Sequence, residues 1–354
     1  MTGNDSPLLE FTRKMLIAVG IAAAGWLIIM IVIRAFDVLL LIYAGILLAV
    51  FMRGIGGAIT RHVHVPMVLS LILVWLILIS AIIVIPWLFG PNLAQDFNEL
   101  FNEIPKSVAR LSQSMGNWQW LRQAFSHVAS NSGPLTTTIL RNAMGIFSTV
   151  FGGVSSFLLI LVLGLYFSVN PSVYVNGLIK LIPRSRREHG CEVLNVAGRT
   201  LFGWSLSRIV SMVAVWAVTY VGLLLLGVSQ ALTLSMVAGV FTFVPYLGPI
   251  ASAAPAVLIA LGQHAMLGLW VALLYLLAHL LEGYFITPYV QWRFISMPPA
   301  LVLSAQVVMW LGAGIIGVIL ASPLVVVIRV LAELLYVRDA LHDERVPFNP
   351  NRPQ

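Results

Sequence analysis

Apolar residues fill this chain in long blocks, and polar residues are confined to short segments between them. No Asp, Glu, Lys or Arg occurs over 142–179, 209–281 or 294–328. A membrane-spanning helix takes about 20 mostly apolar residues, so each stretch can hold at least one crossing. The blocks predict spans at 15–33, 38–51, 66–89, 146–169, 209–226 and 265–281, and a long last run at 300–328. Arg34 and Asp37 are expected to mark a tight turn between the first two, and Arg13 and Lys14 precede a first span that is retained rather than cleaved.

Two regions depart from simple blocks. At 91–141, Leu93, Phe97, Leu100, Ile104, Val108, Leu111 and Met115 recur at steps of three and four. That spacing predicts an amphipathic helical insert, interrupted near Pro105. Trp118, Trp120, Leu121 and Phe125 continue its apolar surface, with Trp favoured at the membrane–water boundary. Within 231–261, the sequence Val244-Pro245-Tyr246-Leu247-Gly248-Pro249 divides the apolar block. Proline removes a helical hydrogen bond, so this is one broken span or a re-entrant hairpin. The last run carries Gly312, Gly314, Gly317 and Pro323, and it too is long enough to be broken.

Together these elements predict an all-α, polytopic membrane protein with about eight spans, including broken or re-entrant helices, plus the amphipathic insert. The chain divides into N-terminal spans (1–90), the insert (91–141), a span (142–169), a basic segment (170–208), a C-terminal membrane core (209–337) and a tail (338–354). Composition agrees. The 354 residues are 60% hydrophobic and 9% charged, with mean hydropathy +0.97. A soluble domain carries roughly 25% charged residues.

The net charge of +7 comes from basic residues between apolar runs, the pattern that sets membrane orientation rather than nucleic-acid binding. Lys180, Arg184, Arg186, Arg187, Arg199 and Arg208 place 170–208, and with it both termini, in the cytoplasm, and the insert outside. Cys191 is the single cysteine, so no disulfide can form within the chain. His62 and His64 are too sparse for a metal site. There is no His-Glu-x-x-His, P-loop or dinucleotide-binding glycine turn. No cofactor, metal or catalytic role is expected. The expected partners are the lipid bilayer, a small-molecule substrate or ion, and a second copy of the chain covering the apolar stripe of the insert.

The informative charge is Glu282, which ends the charge-free stretch 209–281. A carboxylate at membrane depth usually faces a cavity or a partner; alternatively it sits in the headgroups, paired with Arg293. His279 lies three residues earlier on the same helix face, as a proton relay or as a structural histidine. The break offers carbonyls and helix ends to a ligand, or is a plain turn. Gly312, Gly314 and Gly317 are expected to pack helices, and Arg208 to anchor span 209–226 at the cytoplasmic face.

Three signatures carry a family resemblance: Phe243-Val-Pro-Tyr-Leu-Gly-Pro-Ile250, Glu282-Gly-Tyr-Phe-Ile-Thr-Pro288 with Met297-Pro298-Pro299 after it, and Gly312-Ala-Gly-Ile-Ile-Gly317 followed by Pro323. In this order the chain resembles the autoinducer-2 exporter family of bacterial permeases. The chain departs from that pattern at Tyr284, where asparagine is common, and at Val50-Phe51-Met52-Arg53, where a proline is common. The resemblance implies an inner-membrane permease, exporting small signalling molecules in some members and exchanging sodium for protons in others. It points to Pro245, Tyr246, Gly248, Pro249, His279, Glu282, Tyr284 and Pro288 as the substrate or ion pathway, with oligomeric assembly.

Overall fold

The computed structural model describes residues 7–114, 154–286 and 297–338. The second half of the insert, Pro288, Arg293 and most of the tail lie outside them. Among the described residues every regular element is helical. Five helices are long and apolar enough to cross a membrane, or six if one bent pair is counted as a span.

Helix α1 runs Pro7–Val63 without interruption. The tight turn expected at Arg34–Asp37 is not formed. No glycine or proline stands there, and two charges alone do not remove a backbone hydrogen bond. At 1.5 Å per residue α1 is about 86 Å long, far more than the ~30 Å hydrocarbon layer, and its apolar span is Ala35–Val63. Helix α2 (Met67–Ser114) likewise carries its span, Met67–Leu88, straight into the insert. It continues through Pro105, where an interruption was expected: one proline deletes one hydrogen bond, and the bonds on either side remain. Leu69, Ile72, Leu73, Leu76, Ile77 and Trp87 stay exposed along the span, the face a bilayer would cover.

Helix α3 (Val154–Val169) bends by 82° at Asn170 into α4 (Pro171–Lys180). Helix α3 packs on α1 through glycines: a Cβ on Gly45 would sit 2.7 Å from Leu163, and one on Gly164 would sit 2.8 Å from Leu48. Such small residues let helices approach closely in lipid. Arg53 Nη1 donates to the Ser168 carbonyl at 2.8 Å and satisfies the end of α3, while Trp75 Nε1 donates to the Ser168 hydroxyl at 3.1 Å.

The C-terminal core contains α5 (Arg187–Leu225), α6 (Ala231–Phe241), α7 (Leu247–Gln263) and α8 (Ala265–Leu281). Val215 and Leu223 of α5 pack with Leu234, Ala238, Ile259 and Tyr275 from the other three, and the Tyr275 hydroxyl donates to the Leu234 carbonyl at 3.2 Å. After α8 the helix widens into a π-helical turn, Glu282–Ile286.

Helix α9 (Pro299–Leu331) is not one rod. Ala313 (φ −137, ψ 17) and Gly314 (φ 56, ψ −137) leave helical geometry. Gln306 Nε2 lies 3.5 Å from Ser322 Oγ, across a separation of 16 residues. A straight helix would hold those residues about 24 Å apart, so α9 folds back on itself as a hairpin. Gly314 supplies the positive φ of the turn. Gly317 permits the close return, because a Cβ there would overlap the Met309 carbonyl oxygen. The hairpin rests on α1 through Leu40, Met309, Leu320 and Ala321, and on α5 through Val193, Ala197, Val330 and Leu334.

Candidate functional site

The irregular elements meet beside α5. Arg208, one turn beyond Trp204 on that helix, places Nη1 3.3 Å from Oε1 of Glu282. The two residues are only 7% and 9% exposed. Taking two charges out of water costs several kcal/mol per ion, on the order given by continuum arguments, and the pair attraction offsets that only when the geometry is held. Helix α8 holds Glu282 at the point where it opens into the π turn; such turns recur at functional sites. Arg208, expected as a cytoplasmic anchor, is buried among packed helices in an ion pair, and its helix begins at Arg187, more than five turns earlier.

One turn before Arg208, Trp204 brings α5 against the break at Phe243. Tyr246 has φ 65 and ψ −52, and Leu247 N–H donates back to the Pro245 carbonyl at 2.8 Å. This is a γ-turn of the rare positive-φ kind. A bulky residue there stores on the order of 1–3 kcal/mol, and such strain clusters at ligand sites and switches. Several contacts hold the turn in place. Gln306 Nε2 donates to the Pro245 carbonyl at 2.9 Å. The Trp204 and Phe243 rings meet edge to face at 5.6 Å. Gly248 lies against the Phe241 carbonyl so closely that a Cβ would overlap its oxygen.

The break was expected to offer unpaired carbonyls. Two of them are filled: Val244 O accepts from Gly248 N–H at 3.0 Å, and Pro245 O from Leu247 and Gln306. Pro249 sits in the first turn of α7, where its missing N–H would have had no helical acceptor. What the site offers is side chains. Both ring nitrogens of His279 are buried without a hydrogen-bond partner, one turn from Glu282 and within its electrostatic reach. The Gln306 Oε1 is buried and unpartnered as well.

The geometry thus sets Glu282 on Arg208 with His279 one turn away, and ties Pro245, beside Tyr246, to Gln306. Tyr284 does not join them; it is 74% exposed on the π turn. Pro288 lies outside the described residues. Of the three glycines, Gly314 makes the fold-back, Gly317 packs the two arms of α9, and Gly312 stands near Phe36. Sequence reasoning missed two residues as site members. Arg208 and Glu282 are the charges that bracket the stretch 209–281, one at each end, and that bracketing was a signal for pairing. Gln306 is a lone amide in the middle of an apolar arm, where burying a polar group without a partner is costly.

Comparison with known proteins follows the same outline. A family model described as "AI-2E family transporter" matches residues 16–336. Two proteins of Bacillus subtilis (strain 168) are similar to this chain. "Putative transport protein YueF" is 24% identical over 279 residues, 75% of this chain and 76% of that protein. "Putative transport protein YrrI" is 27% identical over 151 residues, 43% of each.

Proposed function

The chain belongs to the AI-2E transporter family and is a multi-pass membrane permease, and from that premise we propose that it exports a small polar signal or metabolite, autoinducer-2-like, across the bacterial inner membrane by secondary transport. The observation that carries this reading is the Arg208–Glu282 pair, 3.3 Å apart and buried between helices beside the strained Tyr246 turn. Ionisable residues at membrane depth are costly and mark substrate, ion or proton pathways. Irregular backbone at that depth is tolerated where it is buried in protein or lines a wet cavity. Three irregular elements share this neighbourhood: the 243–249 break, the π turn after α8 and the α9 hairpin.

In this reading Glu282 is the titratable coupling group and Arg208 its countercharge. The substrate passes between the Tyr246 turn and Glu282, and Gln306 ties the movable hairpin to the turn. A cation/proton antiporter would use the same carboxylate. The guanidinium 3.3 Å from Glu282 repels a bare cation at that point, which favours the permease.

The test is efflux of autoinducer-2 from proteoliposomes, with and without an imposed proton or sodium gradient. Glu282→Gln keeps the shape and removes the charge, so it abolishes or uncouples efflux while expression is retained; Glu282→Asp keeps part of the activity. Normal efflux by Glu282→Gln with an unchanged pH profile would remove Glu282 from the pathway.

A further inference from the structure

Around Arg208 the structure leaves hydrogen-bond donors unused. Arg208 Nη1 engages Glu282 through a single contact at 3.3 Å, while its Nε–H is buried with no partner. The hydroxyls of Ser207 and Ser211, on the same stretch of α5, are 0% exposed and also unpartnered. That is unusual for this helix. Elsewhere on α5 buried hydroxyls return to the carbonyl four residues back: Thr200 to Val196 at 2.9 Å, Ser205 to Leu201 at 2.8 Å and Thr219 to Val215 at 2.6 Å. Only the two serines flanking the arginine, among these, leave that bond unmade.

Ser207 and Ser211 are four residues apart and Arg208 is three before Ser211, so Ser211 neighbours each of them on the surface of α5. His279 adds two unpartnered ring nitrogens one turn from Glu282. Each buried donor left unmade costs about 1–3 kcal/mol, and native proteins keep few of them. Unmade donors on the helix turn that carries a buried cation suit an anion site, and guanidinium matches a planar carboxylate through two parallel N–H bonds.

We propose that Arg208 is the recognition group for a carboxylate-bearing small organic anion, held by the Nε side of the guanidinium with the Ser207 and Ser211 hydroxyls, and that Glu282 is the internal carboxylate competing for the same cation. The class follows from the partner already present: the arginine is occupied by a carboxylate of this chain, so the site accepts that group in size and charge. The two carboxylates repel, so anion binding loosens the Arg208–Glu282 contact and with it the link from α5 to the π turn. The proposal rests on the permease reading for its place in the molecule and, within it, selects a carboxylate-bearing metabolite over an autoinducer-2-like polyol as the substrate class of that site.

The test uses the full-length protein in detergent, with succinate, pyruvate and benzoate as probes and their neutral amides as controls. Binding is read from the thermal unfolding midpoint and by titration. At least one acid binds the wild type and its amide does not. Glu282→Gln removes the competing charge and tightens acid binding by at least about tenfold, the order expected when a desolvated charge partner is changed. Arg208→Lys keeps the charge without the planar fork and weakens acid binding. Acids and amides that behave alike, or a Glu282→Gln protein with unchanged acid affinity, overturn the proposal, and the Glu282→Gln arm decides even if arginine variants fail to fold. Acid binding with no solute flux in proteoliposomes would defeat the permease reading and leave the site standing. Flux of a neutral solute with no acid binding would do the reverse.

Discussion

The fold-back of α9 makes a sharp geometric prediction. Gln306 and Ser322 lie 16 residues apart, with their polar atoms 3.5 Å apart; an unbroken helix would separate them by about 24 Å. In a Cys191→Ser background, the pair Gln306→Cys and Ser322→Cys forms an intrachain disulfide on mild oxidation of membranes. Cross-linked peptides identified by mass spectrometry report it. The control pair Ser304→Cys and Ser322→Cys does not cross-link, because Ser304 is exposed on another side of its arm. The turn itself depends on Gly314, whose φ of 56 and ψ of −137 suit glycine alone. Adding a Cβ by Gly314→Ala costs on the order of 1–3 kcal/mol. At 1.4 kcal/mol per factor of ten, that lowers the folded-back population relative to its alternatives by about 5- to 150-fold. The cross-link yield therefore falls when Gly314→Ala is added to the cysteine pair. Equal cross-linking of test and control pairs, or a yield insensitive to Gly314→Ala, refutes the hairpin.

Gly248→Ala drives a methyl group into the Phe241 carbonyl oxygen, and the close backbone cannot yield without moving the Tyr246 turn. It lowers the unfolding midpoint by an amount corresponding to roughly 1–3 kcal/mol, and a midpoint unchanged from wild type would show that α6 and α7 are not so tightly apposed. For orientation, a cysteine at Ser185 is shielded from a membrane-impermeant thiol reagent in intact cells and one at Ser112 reacts, both in the Cys191→Ser background. Labelling of position 185 from outside inverts the topology.

Much of the fold was written in the charge pattern. The described parts of the charge-free stretches are apolar helices, and Pro245 with Pro249 marked the break between α6 and α7. What could not be read was which helices are continuous. Arg34 and Asp37 looked like a turn, but continuity depends on backbone hydrogen bonds, and neither residue removes one. Arg208 looked like an anchor because hydropathy averages over all faces of a helix. Its α5 neighbours Ser207 and Ser211 are buried and polar, while Val215 and Leu223 of the same helix are buried and apolar, so its inward side is mixed. The Gln306–Pro245 bond spans 61 residues, and no local pattern encodes a contact between two separately broken segments.

Helix α2 has a mechanical consequence. It leaves its membrane span at Leu88 and continues as the same helix to Ser114, a projection of about 39 Å at 1.5 Å per residue. Near its root, Asp96 accepts a hydrogen bond from Thr233 at the start of α6. The helix is unbroken from Leu88 to Ser114, so a tilt of about 10° at Leu88 sweeps Ser114 through roughly 7 Å. A small adjustment where Asp96 meets Thr233 is thus magnified at Ser114.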